Sequence, residues 1–299
     1  MKISRPVIVL SILTALLALV QSGVGLFSGG GSGPFDFTTL HDKSVQMYGQ
    51  GIYAFDTYFK APILRGTDAV TFFAAVPLLL VALVLYRSGS LRGGLLLLGA
   101  LSYLLYNAAS IALGVAYNNL FLVYIAYFSA CLFAFILAFR AIDARELAAR
   151  VGPGFPRRGI AILMFVSGLA LLFAWLGDIL VPLFQGGVPA IESYTTEVTY
   201  VFDLGIITPV AFLTGYLLLR RDSMGYPLAA LMLVTLAVVG LMVSTQTVFQ
   251  LQAGIELTPP QFIGKAGSFI VLAGFAAWLL ARYFRALTIG KAAPRRARS

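Results

Sequence analysis

Four ionisable residues lie within or at the edge of long apolar runs: Asp68, Asp178, Asp203 and Lys265. A charge in hydrocarbon costs about 2.5–3.5 kcal/mol on insertion scales, so each calls for a partner or a task. Two or three carboxylates and an ammonium at one depth can hold a small polar or ionic ligand between them. Lys265 is the one basic residue inside a run, and an ammonium in low dielectric needs a counter-charge. It follows Gly264 and precedes Gly267 and Ser268, small residues that allow close helix contact.

Uncharged hydrogen-bonding side chains collect at the same depth. Tyr103, Tyr106, Asn107 and Ser110 follow i, i+3, i+4, i+7 spacing, which predicts one helical face. Gln246 and Gln250 are four apart in a later run, and Tyr124 and Tyr127 share a face of another. The substrate-binding set read from this layer is Asp178, Asp203 and Lys265 as the charged core, with Asn107 and Gln246 supplying hydrogen bonds. The competing reading is structural. Charges one turn from a helix end snorkel to the headgroups, Tyr forms an interfacial belt, and Asn and Gln join helices.

Other chemistries lack their residues. The single histidine, His41, sits beside Asp42 and forms no metal-ligand spacing, so no metal and no cofactor is expected. The single cysteine, Cys131, lies in an apolar run. No Gly-x-Ser-x-Gly, His-Glu-x-x-His, Walker or dinucleotide-binding glycine motif occurs.

The elements that must position these residues are eight apolar runs, at about 6–27, 69–86, 93–115, 120–139, 159–182, 198–219, 226–249 and 262–281. Each is close to the roughly 20 residues that cross a bilayer. With 60% hydrophobic and 11% charged residues, the chain has too little polar surface for water, and lipid must be its main solvent. The fold class predicted is all-α, a polytopic integral membrane protein with eight transmembrane helices. The net charge of +9 raises the question of nucleic acid. Its distribution answers it, because the basic residues sit at the ends of the runs. With the N-terminus in the cytosol, only Lys43, Lys60, Arg65 and Lys265 of the 21 Lys and Arg fall on the outer side. The positive-inside rule then places both termini in the cytosol and the protein in a plasma (inner) membrane.

The first run has a second reading. Lys2 and Arg5 before an apolar stretch also fit a secretory signal, with Val20-Gln21-Ser22 as the cleavage site. The run continues to Leu26, long for a signal core, which favours a retained helix. Cleavage would leave seven spans.

The chain divides near residue 150 into two four-span halves, 1–150 and 151–299. Each has an Asp at the outer start of its second span (Asp68, Asp203), a Pro inside that span (Pro77, Pro209), a short basic turn, and a Phe-Arg-Ala close. This plan fits two parallel repeats related by an axis along the membrane normal. It also fits what the positive-inside rule imposes on any two four-span blocks. The outer loop 28–68 opens with a run from Gly29 to Gly33, expected to be flexible, and its aromatic remainder predicts a short amphipathic helix on the interface.

The inner halves of the spans show few polar residues. The expected molecule is therefore a bundle with a polar recess open to the outside and an apolar seal toward the cytosol. Its partners are the lipid bilayer and a small-molecule or ion ligand, with no nucleic acid; the oligomeric state is not readable. A transporter or ligand-binding membrane protein is the leading function. A structural or assembly subunit without a ligand site is the alternative, and an intramembrane enzyme acting on a lipid-linked substrate is the third.

Overall fold

The computed structural model describes residues 3–256, 258 and 266–287. Eight of its helices are long and apolar enough to cross a membrane. They are α1 (Arg5–Phe27), α2 (Lys60–Arg87), α3 (Leu91–Gly114), α4 (Phe121–Arg140), α6 (Arg157–Gln185), α7 (Val198–Leu219), α8 (Gly225–Gln252) and α9 (Ser268–Ala286). A ninth, α5 (Ala144–Ala149), is a short helix between α4 and α6. The spanning helices run from 19 to 29 residues. At about 1.5 Å per residue the shortest is about 28 Å long, close to the roughly 30 Å of hydrocarbon. The chain is an all-α multi-pass membrane protein.

Within each half the four spanning helices form a ring. Helix α1 packs on α2 and α4, and α3 closes the circuit between them. Helices α6, α7, α8 and α9 repeat the pattern, with a thinner α6–α9 contact. The halves meet where α8 lies against α2 and α3, and where α3 touches the start of α7. Helices α3 and α8 are therefore the most enclosed spans, and α9 is the least. Two glycines permit the close approach. A Cβ on Gly66 of α2 would press on the Gln246 backbone of α8, and one on Gly99 of α3 would overlap Val234.

Both second helices of the halves are broken in the same way. Residues Thr71–Ala75 of α2 and Asp203–Ile207 of α7 form π turns. In each, the residue just before a proline donates its N–H five residues back: Val76 to Thr71 and Thr208 to Asp203. Pro77 and Pro209 have no N–H, so a carbonyl one turn earlier loses its helical donor. A one-residue bulge absorbs that mismatch without ending the helix. By this register Asp203 corresponds to Thr71, not to Asp68.

The connection from α1 to α2 is a β-hairpin, β1 (Phe35–Thr38) with β2 (Ser44–Met47), followed by a 3-10 turn at Gly51–Tyr53. The expected amphipathic helix is absent. Alternation of Phe35, Phe37 and Val45 with polar residues carries the strand period instead. The glycine run is also docked. Gly33 N–H donates to Gly49 O at 3.2 Å and Gly51 N–H to Gly30 O at 2.8 Å. Positive φ at Gly31 (126°) and Gly49 (67°) lets the two backbones cross where a side chain would collide.

Polar and apolar layers separate along the bundle axis. One end carries the hairpin and the loop 186–197. The other carries Arg87, Arg92, Arg140, Arg157, Arg220, Arg221, Arg282 and Arg285. The half nearer the arginines is mostly apolar, with Leu79, Leu83, Leu97, Leu98, Met164, Leu218 and Met232 buried, and its buried polar side chains are hydroxyls such as Ser11, Thr14 and Thr214.

Candidate functional site

Asp68 is the centre of the polar layer. It sits eight residues into α2, about 12 Å from the helix start at Lys60, and is wholly buried. Hydropathy places a helix boundary near residue 69 because Arg65, Gly66 and Thr67 are poorly apolar. The helix in fact begins at Lys60, because the hairpin loop covers this extra stretch. Gln21 Nε2 of α1 donates to Asp68 Oδ1 at 2.7 Å, and the Tyr53 hydroxyl of the loop donates to Oδ2 at 2.7 Å. A Cβ at Gly25 would overlap both the carboxylate and the Tyr53 hydroxyl, so only glycine lets α1 come this close.

Around this carboxylate stand side chains from the other helices of the ring. Asn107 Nδ2 of α3 reaches Thr71 Oγ1 at 3.2 Å and the Tyr127 hydroxyl of α4 at 3.4 Å. Tyr103, Tyr124 and Tyr127 are buried and lie within electrostatic range of Asp68. Thr71 is the first residue of the π turn, which begins less than one turn beyond Asp68. Among the described residues, no Lys or Arg pairs with Asp68.

Asp203 occupies a second position. Its Oδ1 accepts from the Tyr106 hydroxyl at 3.1 Å and its Oδ2 from Trp175 Nε1 at 2.8 Å. The Trp175 ring packs on Tyr200 with centroids 5.0 Å apart, and the Tyr200 hydroxyl donates to Asp178 at 3.2 Å. Asp178 is exposed. Asp203 and Asp178 therefore share one corner, between α6 and α7, joined through two aromatic rings. Asn107 belongs instead to the Asp68 cluster. Gln246 joins α8 to α2 through Thr67 Oγ1 at 2.8 Å, one residue from Asp68. Lys265 lies outside the described residues. The single face predicted on α3 is split: Tyr103 and Asn107 turn to Asp68, Tyr106 to Asp203.

Over the polar layer the two loops are tied together. Asp56 Oδ1 accepts from Ala116 N–H at 3.0 Å and from the Tyr194 hydroxyl at 2.7 Å. Lys60 Nζ bridges both oxygens of Glu197 at 2.8 and 2.9 Å and lies 4.9 Å over the Tyr194 ring. Thr57 donates to Glu192. Burial pushes the Asp56 carboxyl up to about 6, against the hydrogen bonds from Ala116 and Tyr194 and the charge of Lys60, which lower it. Burial also raises Glu197, but the Lys60 charge and the Thr199 contacts outweigh it and hold the carboxyl below its ordinary value. Tyr53, buried beside a carboxylate, stays a neutral donor, its hydroxyl held far above the usual range.

The layer is thus capped and closed. The open recess expected from the sequence does not appear at Asp68, because Gly25, Tyr53 and Gln21 press directly on the carboxylate. Among the described residues no group of three His, Cys, Asp or Glu could hold a metal ion. No protein-family model, curated protein or solved structure matches the chain. Fold and composition define it as a multi-pass integral membrane protein.

Proposed function

We propose that this protein is a small-molecule or ion transporter, or a related ligand-binding protein, of the plasma membrane, and that its ligand centre is the enclosed cluster around Asp68. One observation carries the reading: a wholly buried carboxylate beside a π turn, ringed by Gln21, Tyr53, Asn107 and three further tyrosines. Buried acids and irregular backbone inside a bundle are costly, and both mark ligand pathways in membrane proteins. The hairpin and the 186–197 loop close the cluster on the side away from the arginines, which the positive-inside rule makes the outer side. Asn107 is then a ligand hydrogen-bonding residue. Asp203, Asp178 and Gln246 are then residues of the approach, and Lys265, outside the described residues, stays a candidate from the sequence alone.

The test is gradient-driven flux into proteoliposomes. Inward gradients of Na⁺, K⁺, NH₄⁺ or choline are imposed on the parent and on Asp68→Asn, with a lumenal pH dye and a potential dye as readouts. At least one gradient is expected to drive flux in the parent that falls more than about tenfold in the variant, the loss of about 1.4 kcal/mol or more. Equal traces for parent and variant under every gradient would remove Asp68 from a transport role.

The close packing around Asp68 favours a second reading, a structural or assembly subunit in which the cluster joins helices. On that reading Asp68→Asn changes stability and leaves flux at the level of empty vesicles in both proteins.

A further inference from the structure

We infer that the groove along the outer face of α9 is a binding site for an anionic glycerophospholipid, in the leaflet at the arginine end. Two adjoining hollows of about 470 and 520 Å³ lie on this face and share Trp278. The first is mostly apolar, lined by Val271, Gly274 and Phe275 among others. The second adds Arg282, Arg285 and Gly154 from the α5–α6 connection. A Cβ at Gly274 or Gly154 would meet nothing, so both glycines form open floor.

The stripe Val271, Gly274, Phe275, Trp278, Arg282, Arg285 follows helical spacing down one face. From Val271 to Arg285 it measures about 21 Å at 1.5 Å per residue. One leaflet's share of the hydrocarbon is about 15 Å, and the remainder is headgroup depth. The apolar part thus lies at acyl-chain depth and the two guanidiniums at the phosphate. Arg282 is also fixed, its guanidinium carbon 5.2 Å over the Trp278 ring. Among the described residues, neither arginine forms an ion pair with an acid.

Charge selects the occupant. A second copy packed two-fold on this face would bring its own Arg282 and Arg285 against these. A phosphate with a further negative charge complements them, and two guanidiniums can contact its oxygens together. The helix C-terminus adds a partial negative charge that favours the arginines but gives no reason for the groove.

Tryptophan quenching tests the site, because Trp175 and Trp278 are the two tryptophans of the sequence and stand on different helices, α6 and α9. The Trp175→Phe protein is reconstituted in phosphatidylcholine vesicles containing increasing fractions of phosphatidylglycerol, or of phosphatidylcholine, brominated at mid-chain. Phosphatidylglycerol is expected to reach half-quenching at a mole fraction lower by at least about fivefold, the effect of one basic residue near a headgroup. Arg282→Gln with Arg285→Gln should equalise the two lipids. Gly274→Leu, which fills the floor and leaves both charges, should lower the preference at least about twofold, since a seated chain loses its contacts. If Trp175→Phe fails to fold, the parent is used with Trp278→Phe as the blank. Equal quenching by both lipids overturns the site. So does a preference that survives the double arginine change, or one that ignores Gly274→Leu. Absence of quenching by either lipid would show that protein covers this face, and also overturns it.

Discussion

Replacing Asp56 with Asn removes one charge and keeps the oxygen that accepts from Ala116 and Tyr194. The native carboxyl titrates at about 6 and the unfolded one near 3.8. Between those values the native state binds a proton that the unfolded state has released. Stability therefore falls as the pH rises from about 4 to about 6, by an amount of order 3 kcal/mol at about 1.36 kcal/mol per unit. Glu197 acts in the opposite sense at lower pH. Its depressed carboxyl contributes stability above about 4.5 that is lost as the pH falls further. Thermal scans in detergent should show the parent losing Tm across pH 4–6 more steeply than Asp56→Asn does. An identical slope in both would place the titration elsewhere. Tyr53→Phe is the companion change in the buried cluster. It leaves Asp68 Oδ2 without its donor, and should cost about 1–3 kcal/mol. An unchanged Tm would mean that the hydroxyl is dispensable. At this scale the sequence was partly legible. Asn107, Asp203 and Gln246 stand out in the sequence as polar residues in or beside apolar runs, and each makes a hydrogen bond between helices. Tyr53 was not, because nothing in the spacing of a loop tells which of several aromatics enters the bundle. The face on α3 failed for a related reason. A helix enclosed on nearly all sides gives adjacent residues different neighbours, so spacing no longer names one partner.

The helices show what a proline does when it cannot end its element. Pro77 and Pro209 are visible in the sequence as prolines inside apolar spans, and the π turns before them are the form the break takes. A π turn is one extra residue in an otherwise helical ladder. Deleting Phe73, which is exposed, should remove the extra residue and keep both flanks in register, at the roughly 3 kcal/mol that a proline costs inside a regular helix. Deleting Leu80 in the regular part should rotate the arginine-end half of α2 by about 100° and bury the wrong face. The first variant is expected to purify as a monodisperse protein and the second to aggregate, as read by size-exclusion chromatography. Equal behaviour would show that the bulge holds no spare residue. The hairpin was not legible as such. Its strands are four residues each, and their aromatic content reads equally well as an interfacial helix.

For the molecule as a whole, eight spans were readable because lipid demands long apolar runs and allows little else. Orientation rests on the basic residues. Cysteines placed at Ser90, Arg150 and Ser223 should resist an impermeant thiol reagent added to intact cells, while those at Ser32, Gln185 and Gln252 react. The native Cys131 is buried and should stay silent. Labelling at Arg150 and Ser223 from outside would invert the topology. We further propose that the halves are parallel repeats. Each forms a closed four-helix ring, each has a π turn two residues before a proline in its second helix, and their third helices, α3 and α8, meet at the centre. Residues 5–140 and 157–286 should then superpose by rotation about the membrane normal with Pro77 on Pro209 and Thr71 on Asp203. An inverted relation would refute duplication of this kind.

The chain order of the Asp68 cluster bears on how the protein is made. Gln21 and Tyr53, the two donors to this carboxylate, both precede it in sequence. As the nascent chain leaves the ribosome, α1 and the hairpin emerge before α2 enters the bilayer. The buried carboxylate of α2 therefore arrives where its donors have already been delivered, and the insertion penalty of a lone aspartate can be met at once rather than after the later helices are synthesised.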